Sequence, residues 1–190
     1  MRLIITRHGE TIENINKICM GQTDGQLSKE GIEQTEKLGI RFKDRKIDAI
    51  YSSDLKRTVD TAKKILKYHP NLKLNLDKRI RERYMGKLQG KVFPDNWDWG
   101  NLPEYVETDK KMCERSKEFI NHIYLKYRKK TVLVVCHGGI KKALLTVIHN
   151  KHFSEFGIWE MMNNTSVSEF NIKENGNHKM LILNCTNHLE

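Results

Sequence analysis

The sequence predicts an α/β fold, a three-layer α/β/α sandwich around a mostly parallel central sheet. Two observations carry that prediction. Short apolar runs alternate with helical patterns through most of the chain, as expected when crossover helices cover a parallel sheet. The two clearest runs, Leu3-Ile4-Ile5 and Val132-Leu133-Val134-Val135-Cys136, are apolar on both faces rather than alternating, which suits strands buried between helix layers.

The elements follow in order. Residues 2–6 read as a buried strand. Residues 7–27, rich in Gly, Asn and Asp, read as a loop. Ser28 is a fitting N-cap for a helix over 29–43, with Ile32, Thr35, Leu38 and Phe42 near helical spacing. Residues 47–51 read as a second strand. Ser52, Ser53 or Asp54 then caps a helix over 55–68, with Leu55, Val59, Ala62, Ile65 and Leu66 on one face. A short strand at 72–76 precedes an irregular stretch over 77–108 that holds Pro94, Trp97, Trp99 and Pro103. A helix over 109–128, the strand 131–136, a helix to about His149, and two strands near 166–172 and 179–185 complete the chain. Nothing marks a linker or composition break, so 1–190 reads as one domain, with 77–108 as a substrate or lid segment.

Composition narrows the class. Hydrophobic residues make up 38% and charged residues 31% of the chain, with 3 Pro and 12 Gly, which excludes disordered-tail, collagen-like and low-complexity chains. No apolar run approaches the roughly 18 residues of a membrane span, and Arg7-His8 interrupts any leader-like apolar start. A cytoplasmic location and four free thiols (Cys19, Cys113, Cys136, Cys185) are expected. The histidines and cysteines show no ligand spacing, so neither a metal nor a cofactor is expected. The net charge of +10 suits an anionic partner, whether phosphorylated metabolite or nucleic acid.

Leu3–Gly9 and Leu133–Gly139 both place a His-Gly pair straight after an apolar strand. The carboxyl ends of strands line the ligand crevice of an open α/β sheet, so His8 and His137 are candidates to face one crevice. A lone histidine at a strand end is more often structural; two in matching context shift the balance. Arg57 lies in the first turn of a helix, where main-chain N–H groups and a guanidinium together favour a phosphate. Glu82 is one acid among Arg79, Arg81, Arg83 and Lys87; taken alone, it reads as an exposed, salt-bridged side chain. Glu104 and Glu107 read as surface residues. Phosphoryl transfer needs a nucleophile, cations around the equatorial oxygens and an acid for the leaving oxygen. These residues can supply all three without a metal.

At this point the sequence resembles the histidine phosphatase superfamily, which includes the cofactor-dependent phosphoglycerate mutases. Thr6-Arg7-His8-Gly9-Glu10-Thr11 is similar to its R-H-G-E/Q-S/T signature, and Asn14 follows His8 at the family spacing. Gly21-Gln22-Thr23-Asp24 with Leu27–Gly31, Ser53–Ala62, Glu82–Gly86 and Val135–Gly139 resemble its later segments, so the likeness spans about residues 2–189. The resemblance implies that His8 becomes phosphohistidine, and that Arg7, Arg57 and His137 bind the phosphoryl group. It also implies that Glu82 donates and then accepts a proton. Asn14, Gly21, Gln22, Thr23, Arg83 and Gly138 would bind phosphate or substrate.

The family divides by what resolves the phosphohistidine: water in phosphatases, a retained sugar acid in mutases. The mutases resembled here carry an extended lid between the acid and the second histidine, and only 55 residues separate Glu82 from His137. Gln22 and the ending Leu183–Leu189 are phosphatase-like, with Cys185 in place of the usual Asp. Arg83-Tyr84 with Leu88-Gln89-Gly90 is mutase-flavoured. The expectation is therefore a metal-independent phosphomonoesterase acting on a small phosphorylated metabolite, as a monomer or homodimer, with no nucleic-acid or membrane partner. The alternatives are a bisphosphoglycerate-dependent phosphoglycerate mutase and a basic RNA- or protein-binding module. Phe93, Trp97, Trp99 and Tyr105 could form an aromatic mouth or pack a short lid. Arg81, Arg83 and Lys87 would suit a second anionic group on the substrate.

Overall fold

The computed structural model describes residues 1–93 and 98–190; Pro94 and Trp97 lie outside the described residues. Six strands form one sheet in the order β3-β2-β4-β1-β5-β6: β1 (Arg2–Arg7), β2 (Ala49–Ser52), β3 (Leu74–Leu76), β4 (Thr131–Cys136), β5 (Val167–Asn171) and β6 (Lys179–Cys185). The first four are mutually parallel, while β5 and β6 add an antiparallel edge. The helices are α1 (Ile12–Ile15), α2 (Lys29–Phe42), α3 (Lys56–Leu66), α4 (Asp109–Lys126) and α5 (Gly138–Ile148).

The sandwich follows from the double-faced apolar strands. Leu3 and Ile5 of β1 and Val132 and Val134 of β4 pack with Phe119 and Ile123 of α4 and Leu144 and Ile148 of α5. The alternate residues Ile4, Ile50, Leu133 and Val135 pack with Leu38 and Phe42 of α2 and Ala62 and Ile65 of α3. Successive strand side chains point to opposite faces, so each central strand serves both layers. The fold class is therefore the expected one.

Local signals also hold. Ser28 Oγ accepts the Gly31 N–H at 2.9 Å and donates to Glu10 Oε1 at 2.8 Å, tying the start of α2 to the loop after β1. Gly31 is required there, because a Cβ would lie 1.9 Å from the Glu10 carbonyl oxygen. Three expectations change. Ile32 is exposed, and the buried face of α2 is Gly31, Thr35, Leu38, Gly39 and Phe42. The cap of α3 comes from a distant residue: Leu55 occupies the cap position without a side-chain bond, and Asp24 Oδ1 accepts the Lys56 N–H at 2.8 Å. The 7–27 loop contains α1, closed by a reciprocal capping box between Thr11 and Asn14. A single turn this short has no periodicity to read.

Candidate active site

The register of β1 against β4 pairs Arg7 with Cys136. His8 and His137 therefore leave the carboxyl ends of adjacent parallel strands side by side, and the His8 N–H donates to the Cys136 carbonyl at 3.0 Å. Their rings meet edge to face with centroids 5.3 Å apart. Both are buried.

The two rings hold opposite tautomers. His8 Nδ1 lies 2.7 Å from the Gly9 carbonyl oxygen, which only accepts, so Nδ1 carries the proton and Nε2 the lone pair. His137 Nδ1 accepts from Arg57 Nε at 3.1 Å, which only donates, so His137 carries its proton on Nε2. Among the described residues, His137 Nε2 and Arg7 Nε are buried donors without a partner. Burial, reinforced by the Arg57 and Arg7 cations, holds both imidazoles well below the ordinary histidine range. The cluster thus presents one imidazole lone pair, on His8 Nε2, and unsatisfied donors beside it.

Arg57 is 1% exposed. Besides His137, it donates to the Thr23 carbonyl at 2.7 Å and the Gly21 carbonyl at 2.8 Å. Burial pulls its guanidinium down to about 10, which leaves it charged at neutral pH. Three of its five N–H groups are spent on the protein, so it orients His137 and the 21–23 loop as well as supplying charge. Arg7 Nη1 donates to the Met162 carbonyl at 2.7 Å. Asn14 Oδ1 accepts the Thr11 N–H at 3.2 Å, which leaves its Nδ2 donors for the cavity that it lines.

Glu82 is not the exposed, salt-bridged side chain that its basic neighbours suggest. Its carboxylate accepts from the main-chain N–H groups of Arg83 (2.8 Å), Gly139 (2.9 Å) and Ile140 (3.1 Å), seated on the N-terminus of α5. Gly139 permits this approach, since a Cβ would come within 2.4 Å of Glu82 Oε1. Arg115 of α4 holds the 79–82 strap by donating to the carbonyls of Arg79 (2.7 Å), Arg81 (2.6 Å) and Glu82 (3.2 Å). It is clamped in turn by Glu107 at 2.7 and 2.9 Å. Glu107, expected on the surface, is therefore a largely buried brace.

Arg7, His8, Asn14, Gly21, Arg57, Glu82, Arg83 and Gly138 all line one cavity of about 540 Å³. His137 is not among the lining residues, and its ring meets that of His8 edge to face. Gln22 and Thr23 do not line it either. Gln22 Nε2 donates to the Glu82 carbonyl at 3.0 Å, and Thr23 offers its carbonyl to Arg57, so both act as braces. Arg81 pairs with Asp54 at 2.6 Å, Lys87 lies over Tyr105, and neither lines the cavity. Phe93 and Trp99 line it and stack with centroids 5.4 Å apart. Tyr105 packs against Gly86 instead.

Sequence reasoning missed Lys142, Asp109, Phe156 and Met161 on the wall. Lys142 follows the second His-Gly pair at helical spacing, a signal that was readable; the others carry none. Among the described residues no three His, Cys, Asp or Glu side chains converge to hold a metal. No helix among them is long and apolar enough to cross a membrane.

A sheet whose central parallel strands deliver two buried histidines beside the buried Arg57 guanidinium defines a cationic α/β site. The histidine phosphatase superfamily (branch 1) matches residues 3–185, and the chain belongs to that superfamily. The phosphoglycerate mutase-like protein 4 of Arabidopsis thaliana is 28% identical over 203 residues, covering 99% of this chain and 86% of its own length. The metal-independent phosphoserine phosphatase of the same plant is 30% identical over 159 residues, covering 75% and 66%. Among solved structures, Bacillus stearothermophilus YhfR superposes with a TM-score of 0.91 at 25% identity, covering 100% of this chain and 99% of its own.

Proposed function

We propose that the chain is a metal-independent phosphomonoesterase that works through a phosphohistidine on His8, with a small phosphorylated metabolite as substrate. The opposite tautomers of the two histidines carry this reading. A lone pair on His8 Nε2 can attack, and an N–H on His137 Nε2 can receive the charge that develops on the phosphoryl oxygens.

In the first step His8 Nε2 attacks phosphorus in line with the departing oxygen. Arg7, the two unspent N–H groups of Arg57, His137 Nε2–H and the Asn14 amide hold the equatorial oxygens. The bond from phosphorus to the leaving oxygen breaks, and that oxygen takes a proton from Glu82 as the alcohol departs. In the second step Glu82 takes a proton from an entering water. The hydroxyl oxygen bonds to phosphorus, the bond to Nε2 breaks, and His8 regains its lone pair. The main-chain N–H groups of Arg83, Gly139 and Ile140 fix the Glu82 carboxyl in place throughout. Relatives named as phosphatases support hydrolysis, and so does the short span between Glu82 and His137.

The test is phosphate release in the presence of EDTA from p-nitrophenyl phosphate, 3-phosphoglycerate and fructose 2,6-bisphosphate, wild type against His8→Ala. Release by wild type alone is the expected result. Equal release by His8→Ala overturns the reading. Turnover that appears only with a bisphosphoglycerate primer assigns a mutase instead.

A further inference from the structure

Asn164, Thr165 and His188 do not line the cavity, yet they converge on the main chain that carries His8. β5 pairs with β1 only as far as Val167 opposite Thr6. Beyond that point the residues that lead into β5 hold the chain leaving β1. The Thr165 N–H is shared between the Arg7 carbonyl (3.1 Å) and the His8 carbonyl (3.3 Å). Asn164 Nδ2 donates to the same His8 carbonyl at 3.0 Å and reaches Asn14 Oδ1 at 3.4 Å. Thr6 Oγ1 donates to the Thr165 carbonyl at 3.1 Å, which closes the clasp.

Thr165 makes these bonds from an unfavourable backbone. Its φ is +54°, in the left-handed region where a β-branched residue is a genuine outlier. Glycine would adopt that conformation freely. Such strain persists only where the surroundings over-determine it, and it concentrates at functional sites.

A chain of hydrogen bonds does the holding. Arg41 Nη1 of α2 lies 2.9 Å from His188 Nδ1. A guanidinium only donates, so His188 carries its proton on Nε2. That Nε2 lies 3.2 Å from Thr165 Oγ1, which accepts and in turn donates its own hydrogen to the Asn164 carbonyl at 2.8 Å. Thr165 is fully buried and His188 half-buried. Burial, with the Arg41 and Lys37 cations, pulls His188 down to about 4, so near neutral pH it keeps a single N–H to give. The order of donors is thus fixed from α2 to the His8 main chain.

The Gly9 carbonyl sets the His8 tautomer, but the ring travels with its own backbone. In-line attack tolerates little error, and a misplacement of about 1 Å can cost about 10²-fold.

We propose that Thr165 is a positioning residue that holds the His8 main chain for attack, and that His188 and Arg41 lock Thr165 in its left-handed conformation. The proposal rests on the phosphohistidine reading above and extends it to residues outside the cavity.

The experiment measures kcat and KM on p-nitrophenyl phosphate, and inhibition by inorganic phosphate and by orthovanadate, for His188→Phe, His188→Gln and Thr165→Val. His188→Phe fills the ring's space without an N–H for Thr165, and His188→Gln returns a donor. Thr165→Val keeps the branched shape and loses the hydroxyl. In His188→Phe and Thr165→Val kcat falls about 10-fold to 100-fold. KM and inhibition by inorganic phosphate stay nearly unchanged, because the side chains of Arg7, Arg57 and His137 are untouched. Orthovanadate, which adopts the five-coordinate geometry of the transition state, weakens in parallel with kcat. His188→Gln recovers most of the loss. Melting curves confirm that each variant is folded.

A folded His188→Phe with wild-type kcat overturns the proposal, as does a loss confined to KM or one that His188→Gln does not recover. Where Thr165→Val fails to fold, the two His188 variants decide. If wild type releases no phosphate from any ester, or His8→Ala releases as much, the phosphatase reading fails by itself. Nitrogen NMR of the His8 ring then decides the positioning separately: the proposal expects shifted ring resonances in His188→Phe, and a spectrum identical to wild type overturns it.

Discussion

Replacing Arg57 by Met separates the two things that this side chain does. Arg57→Met strips three acceptors of their donor: His137 Nδ1, the Gly21 carbonyl and the Thr23 carbonyl. The first two hydrogen bonds are fully buried, and each abandoned acceptor costs about 1–3 kcal/mol; water can reach Thr23. Against that loss stands relief from burying a cation. Burial draws the guanidinium from its ordinary value down to about 10, which corresponds to roughly 3 kcal/mol of charge burial removed with the side chain. The two contributions nearly cancel, so unfolding in urea should show a loss of only about 1 kcal/mol.

Activity has no such compensation. Losing one preorganised donor to the transition state costs about 10²–10³. Freeing His137 to place its proton on Nδ1 lowers the population of the competent tautomer further. The expected loss in kcat/KM on p-nitrophenyl phosphate is therefore about 10³ or more. Arg57→Lys restores the charge but not the three-way fork and should fall between the two. A folded Arg57→Met protein within tenfold of wild type would refute the role given to Arg57. So would a variant that loses stability and activity in parallel.

Three further outcomes follow. Glu82→Gln can keep the Arg83 and Ile140 bonds through its one amide oxygen, gives up the bond from Gly139 and has no acidic proton to give, so kcat on alkyl phosphates should fall by about 10²–10⁴. The fall should be much smaller on p-nitrophenyl phosphate, whose leaving group needs little protonation; equal losses on both would contradict the assignment. Because His8 and His137 sit well below the ordinary histidine value when folded, the unfolded chain binds the extra protons as pH drops. Their contribution to stability is complete above about pH 6.5 and is lost as pH falls below it. The acid limb of kcat/KM should likewise lie below 6.5, and a limb at or above 6.5 in a pH–rate profile would count against two neutral imidazoles. Lys141, fully buried against Ser166, is pulled by burial from 10.5 to about 7. Lys141→Met should raise stability at pH 7 and abolish a wild-type gain in stability between pH 7 and 10.5. An unaltered pH dependence in urea titrations would refute that placement.

Much of the fold and of the convergence of the candidate site residues was legible in the sequence. Strands buried on both faces write themselves as unbroken apolar runs. A His-Gly pair straight after each of two such runs places both rings at one sheet end. What escaped was long-range in character. Arg115 acts on carbonyls more than 30 residues away and leaves no pattern. Asp24 caps a helix from another loop. The antiparallel turn of β5 and β6 depends on where the chain re-enters the sheet, which spacing does not encode. Gln22 and Thr23 carry the family pattern and yet serve as braces, because the Arg57 fork takes the Thr23 carbonyl and Gln22 holds the Glu82 main chain. The aromatic segment yielded Phe93 and Trp99 at the cavity. Two further wall residues, Phe156 and Met161, came from the stretch after α5 that no motif marks.

The central claim is that the phosphoryl group rests covalently on His8 between two displacement steps. The most direct measurement mixes wild type with radiolabelled p-nitrophenyl phosphate and quenches in base within a turnover. Peptide mass spectrometry then locates the label. The account predicts an acid-labile, base-stable phosphoryl group on the peptide containing His8, absent from His8→Asn and accumulating in Glu82→Gln, where water is poorly activated. Label on any other residue, or turnover with no trapped phosphoenzyme in either wild type or Glu82→Gln, would contradict it.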